Sequence, residues 1–106
     1  MENQHRKITG YRELSAEEID LMNRIKATGA ELLALHAELE AKLTEDFRRK
    51  WIARTKEEYR GDEDTPDTEE FQRFEMAEPK KWADFGKTNI QVGIMALVRA
   101  VAQPAV

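Results

Sequence analysis

The side chains that could carry chemistry gather at the N-terminal end. The segment Asn3-Gln-His-Arg-Lys-Ile-Thr-Gly-Tyr-Arg12 sets His5, Arg6, Lys7 and Arg12 around one aromatic ring, Tyr11, and the first twelve residues hold a single acid, Glu2. An aromatic ring stacks on a nucleobase at about 1–3 kcal/mol, and cations pair with phosphates, so this combination suits a nucleotide. A solvated basic arm has the same composition. Lys26 supplies a further cation between Ile25 and Ala27, beside an apolar stripe. There it can snorkel to water or reach a phosphate held at a subunit boundary.

Catalytic groups are scarce. His5 and His36 are the only histidines and there is no cysteine. Their spacing fits no metal motif, and neither H-E-x-x-H nor G-x-S-x-G occurs. His36 falls on the apolar stripe and reads as a core or interface residue. Asp62-Glu-Asp64 with Asp67 lacks the Gly and the closing Glu of an EF-hand, so it reads as a solvated turn. Nothing in this inventory calls for an enzyme, a metal or a cofactor.

Helices must position these groups. Residues 1–14 have no helical period and form an arm or hook. Ser15-Ala-Glu-Glu18 is a capping box, which starts a helix at about Ala16. Met22, Ile25, Gly29, Leu32, His36, Leu39, Leu43 and Phe47 then follow in steps of three and four, the period of one helix face. This helix is expected to reach about Tyr59, with Gly29 marking a kink or a close helix–helix contact. A connector over 61–79 holds a short helix begun by Thr65-Pro66, with Pro at its first position. A last helix spans about Lys80 to Ala102.

Charge divides the chain. Residues 1–56 carry net +1, residues 57–78 carry −8 and residues 79–106 carry +3, giving −4 for all 106 residues. A DNA-coating protein is excluded by that balance, whereas a small anion answers to local charge. The stretch with least charge, Asn89–Val98, is far short of the ~20 residues of a membrane span. The N-terminus lacks the apolar run of a signal peptide, and the absence of cysteine suits a reducing cytosol.

The last helix points to assembly. Ile90, Ile94, Leu97 and Val101 form one stripe, while Val92, Met95, Val98 and Ala102 cover other sides. Arg99 is the only charge from Val92 to Ala102. A helix apolar nearly all round must be buried nearly all round. One partner helix within this chain cannot do that, so a homo-oligomer built on this helix is expected. A monomeric three-helix bundle is the competing arrangement.

Three segments carry a family resemblance: Asn3-Gln-His-Arg-Lys-Ile-Thr-Gly-Tyr-Arg-Glu-Leu14, Glu17-Glu-Ile-Asp-Leu-Met-Asn-Arg-Ile-Lys26, and the run from Gly86 to Pro104. Their order and content resemble the phage anti-CBASS cyclic-oligonucleotide sponges of the small helical type that assembles as a hexamer. The middle, about 35–78, departs from the family pattern and reads as longer and acidic. The resemblance implies an all-α fold: a short N-terminal arm, then a long antiparallel helical hairpin, assembled as a homo-oligomeric helical bundle. It implies sequestration, in the cytoplasm of the bacterial host, of cyclic dinucleotides such as 3′,3′-cGAMP, without cleavage. By similarity Tyr11 stacks on a base and Lys26 contacts the phosphates, in a pocket between protomers. Some members also bind cyclic trinucleotides at separate pockets. Arg6, Arg12 and Arg99 are further candidate phosphate partners. The competing readings are a helical structural or regulatory protein whose arm binds a partner protein, and a phosphodiesterase acting on the same messengers.

Overall fold

The computed structural model describes residues 12–57 and 65–105; Arg6, Tyr11, the first helix's expected end near Tyr59 and the turn Asp62-Glu-Asp64 lie outside them. The described residues form α1 (Ala16–Glu57), α2 (Pro66–Ala77) and α3 (Pro79–Ala102) and contain no strand. The fold is all-α, with α1 and α3 as the long members of a helical hairpin.

The boundaries follow local chemistry. At the start of α1, the Glu18 amide donates to Ser15 Oγ at 3.1 Å and the Ser15 amide donates to Glu18 Oε1 at 2.9 Å. Two backbone donors that the helix itself cannot satisfy are thereby paired. Thr65 caps α2 by accepting from the Thr68 amide at 3.2 Å, and Pro66 occupies the first turn. The junction of α2 and α3 is a single residue. Glu78 takes a left-handed conformation (φ 49°), donates its amide to the Glu75 carbonyl at 3.1 Å, and accepts from the Trp82 amide at 3.2 Å. Pro79 then opens α3 one residue before the expected Lys80, in a position where its missing N–H costs nothing.

Two compact units result, one made of residues up to Leu33 and from Thr88 onward, the other of Ala34–Lys87. In the first, α1 runs unbroken through Gly29, which is buried against Ile94. A Cβ at residue 29 would stand 2.6 Å from Ile94 Cγ1, so the glycine permits close approach of α1 and α3. In the second, Phe71, Phe74 and Ala83 are the buried apolar residues. The Phe71 ring lies 5.5 Å from that of Phe47 and 5.6 Å from that of Trp51. Arg54 spreads its guanidinium over Trp51 and Phe71. Lys50 covers Phe74 and pairs with Glu70 at 3.0 Å. Glu70 also pairs with Arg73, and these bonds hold its carboxyl at about 2, far below the ordinary range.

The structure revises one expectation about burial. The inward line of α1 passes through Gly29, His36 and Asp46, while Leu32, Leu39 and Phe47, assigned to the stripe, remain exposed. The apolar sector of α1 is wider than the surface that this chain lays against it. Asp46 tolerates burial because Lys42 and Arg49 both reach it at 2.6 Å, and their hydrogen bonds push its carboxyl below the usual value. The last helix keeps Val92, Met95 and Leu97 more than half exposed, so no described helix of the single chain covers that face. No described helix is long and apolar enough to cross a membrane.

The glycines give a test of this packing. Gly86 has open space where a Cβ would go. Gly86→Ala is expected to stabilise the chain by about 0.5–1 kcal/mol through helix propensity alone. Gly29→Ala gains the same propensity but collides with Ile94, at about 1–3 kcal/mol for overpacking. Urea unfolding should therefore show a rise in midpoint for Gly86→Ala and no rise for Gly29→Ala. Trimming Ile94 to Ala in the Gly29→Ala background should make the pair less than additive.

Candidate functional site: a clasped helix pair with exposed cations

The unit that holds the expected ligand residues is built from the N-terminal part of α1 and the C-terminal part of α3. Its fixed point is Arg12. The Arg12 guanidinium pairs with Glu18 at 2.5 Å, donates through Nη2 to the Val101 carbonyl at 2.7 Å, and donates through Nε to the Ala102 carbonyl at 3.1 Å. The last carbonyls of a helix have no partner within it. A cation placed there both satisfies them and meets the negative end of the helix dipole. Gln103, in a left-handed conformation (φ 47°), donates its amide to the Arg99 carbonyl at 2.8 Å and closes α3 ahead of Pro104.

Glu18 therefore serves two partners. One of its carboxylate oxygens accepts from Ser15 and the other accepts from Arg12. The Arg12 hydrogen bond is the largest cause, followed by the Ser15 amide, of a carboxyl held down at about 2. The capping role of Glu18 is visible in the sequence. Its second role is not, because the carbonyls that orient Arg12 lie ninety residues away along the chain.

The other expected cations are free of such ties. Lys26 is exposed on α1 and makes no hydrogen bond or ion pair among the described residues. Arg99 is exposed in the last turn of α3 and its side chain likewise makes none. Arg24, by contrast, is tied to Asp20 at 3.0 Å, an exposed i, i+4 pair worth little. The eight residues from Glu18 to Lys26 span about 12 Å of helix at 1.5 Å per residue. One chain thus keeps Lys26 well away from the Arg12 clasp. Tyr11 and Arg6 fall outside the described residues.

A concavity of about 470 Å³ lies along the same helix pair, lined by Leu21, Ile25, Gly29, Ile90, Ile94 and Leu97, with Arg24 and Thr28 as its polar members. Such a wall suits another apolar surface rather than a phosphate. A second concavity, of about 380 Å³ in the Ala34–Lys87 unit, brings Glu75 and Glu78 to its lining against the single Lys80. Two carboxylates make it a poor seat for an anion.

Comparison with known proteins decides the family. The profile of the Acb2/Tad1 hairpin domain matches residues 3–102. The chain belongs to the Acb2/Tad1 hairpin-domain family. Anti-CBASS protein 2 of Pseudomonas phage JBD67 is 54% identical over 105 residues, covering 98% of this chain and 97% of that protein. The match to Anti-CBASS protein 2 runs through the acidic middle as well. Residues 35–78 are therefore not the extra length that the sequence alone suggested.

The clasp carries a pH signature. In the unfolded chain Glu18 takes up its proton near pH 4.5, and in the folded chain at about pH 2. Its stabilising contribution is thus complete above pH 4.5 and is lost as pH falls toward 2. Comparing Glu18→Gln with the parent chain by urea unfolding should show a difference in midpoint that is constant above pH 4.5 and shrinks toward pH 2.

Proposed function

We propose that this chain is a phage anti-CBASS sponge that binds cyclic nucleotide second messengers in the cytoplasm of the infected bacterium and withholds them from their effector, uncleaved. The observation that carries this reading is the near full-length similarity to a protein named for anti-CBASS action. The cations and the ring at the N-terminal end suit a nucleotide, and the family resemblance narrows it to 3′,3′-cGAMP and related cyclic dinucleotides, with cyclic trinucleotides as a further class. Tyr11 stacks on a base and Lys26 meets a phosphate. Arg6 and Arg99 are secondary phosphate partners. Arg12, engaged by Glu18 and α3, anchors the arm at the residue after Tyr11.

The site is shared between copies. Removing two phosphates from water demands a cation for each, since an unpaired buried charge is expensive. One Lys26 from each of two copies across a two-fold boundary supplies that number, and a near-symmetric ring fits an isologous interface. The unpaired exposure of Lys26 leaves it available for this role. The bare apolar faces of α1 and α3, with Leu32, Val92, Met95 and Leu97 in the open, supply the surface for assembly into a homo-oligomer, six copies by family resemblance.

Purified protein is to be incubated with 3′,3′-cGAMP, separated from free ligand, and denatured. Recovery of intact ligand is the expected result. Linear product would make the protein a phosphodiesterase, and no uptake would favour a partner-binding helical protein. Tyr11→Ala is expected to weaken binding about 5- to 150-fold by calorimetry, equivalent to ~1–3 kcal/mol of stacking. Lys26→Ala is expected to cost ~1.5–3 kcal/mol of binding for one charge-assisted bond while the assembly persists.

Leu97→Asp tests the interface by itself. Leu97 is 56% exposed in the single chain, so the substitution leaves the helix pair largely undisturbed. Light scattering should show the assembly dissociating. An unchanged mass would remove this face from the interface.

A further inference from the structure

We infer that His36, Glu40 and Asp84 form a binding site for a divalent transition-metal ion of the zinc class. His36 and Glu40 stand one helical turn apart on α1 and so share a face. Asp84 comes from the first part of α3, within the same Ala34–Lys87 unit. One ring nitrogen of His36 and one carboxylate oxygen from each acid all lie within 4.8 Å of one another.

Two further observations point to a ligand. His36 is only 8% exposed, and its Nε2 is buried without any hydrogen-bond partner. A buried polar atom left unpaired costs free energy that native proteins rarely leave unrecovered. Neither Glu40 nor Asp84 has a hydrogen bond or ion pair among the described residues. Elsewhere in this unit the acids Asp46 and Glu70 each hold two cations. The two carboxylates that converge on His36 hold none.

A divalent cation answers these needs together. It takes a nitrogen lone pair and offsets both negative charges. The donor set selects the metal: imidazole favours zinc, cobalt, nickel or copper, whereas magnesium and calcium prefer all-oxygen shells. Three protein donors leave a fourth position of a tetrahedral site to water. At metal–donor lengths of about 2.0–2.2 Å, tetrahedral donors stand about 3.4 Å apart. Closing from 4.8 Å falls to side-chain torsions of Glu40 and the exposed Asp84, while burial holds His36 in place. The ion would staple α1 to α3 within this unit, and binding only to the folded chain would stabilise it.

The test uses the untagged full chain, stripped with EDTA and dialysed. Co²⁺ is followed by its visible absorption, and Zn²⁺ by calorimetry and by the change in Tm. His5→Gln removes the only other histidine. Loss of a group that merely orients a metal ligand costs about 10–100-fold in affinity, and loss of a ligand costs no less. The expected result is one Co²⁺ per chain, retained in His5→Gln and weakened at least about tenfold in Asp84→Asn and His36→Gln. Zn²⁺ should raise Tm and Mg²⁺ should not. Asp84 is exposed, so Asp84→Asn should keep the metal-free Tm and the parent mass by light scattering, which keeps the test valid if His36→Gln fails to fold. No Co²⁺ band, binding unchanged in Asp84→Asn, binding lost in His5→Gln, or an equal response to Mg²⁺ would each overturn the site. Uptake of 3′,3′-cGAMP, measured on the same samples, reports on the sponge reading separately.

Discussion

The constraint on which the rest of this molecule depends is an excess of apolar surface over what one chain can cover. Among the described residues only Phe71, Phe74 and Ala83 are buried apolar side chains, and all three lie in the Ala34–Lys87 unit. The part of the chain that carries Lys26 and the C-terminal half of α3 has no such core. Its helices approach most closely at Gly29 and Ile94, half-bury Ile25, Ile90 and Val98, and leave several leucines, Val92 and Met95 in the open. Burying a side chain of that size contributes about 1.5–3 kcal/mol. Several exposed together on neighbouring turns form a surface that favours association. The proposed pocket between copies accords with this arrangement, because a boundary that hides the apolar faces would also gather cations that one chain keeps apart.

The polar groups divide into those that hold the fold and those left free. Arg12, Glu18, Asp46 and Glu70 are committed: each makes several short charge-assisted bonds, and these bonds push the carboxyls of all three acids below their usual values. Lys26 and Arg99 are uncommitted, as are Glu40 and Asp84 beside His36. Residues of the second kind are where a protein without obvious catalytic groups can meet a ligand, since an interaction already satisfied within the chain has nothing to offer outside it. Arg12 illustrates the distinction. Its place in a basic, aromatic segment suggests a phosphate partner, but its guanidinium is already engaged by Glu18 and by the end of α3.

Local features were legible from residue types because their causes are local. The Ser15–Glu18 capping box and the Thr65 cap with Pro66 depend on contacts within one turn. The inward line of α1 was legible only in part. Periodicity located a face, but which edge of it is covered depends on what packs there, and Asp46 entered the buried line because Lys42 and Arg49 neutralise it. The proposed site was read from residue types in the arm and at Lys26, of which the described residues include Lys26 and Arg12. The all-round apolarity of the last helix is what suggests that the proposed site is shared between copies.

By itself, then, the sequence determined the helices, their caps, the acidic middle, the surplus of apolar residues and the family motifs, since each is written in neighbouring residues or in composition. Tertiary structure alone decided that Arg12 bolts the start of α1 to the end of α3, that Gly29 serves Ile94, and that His36 meets an acid from α3. Those contacts join residues far apart along the chain, and no periodicity within one helix specifies which distant atom will complete them.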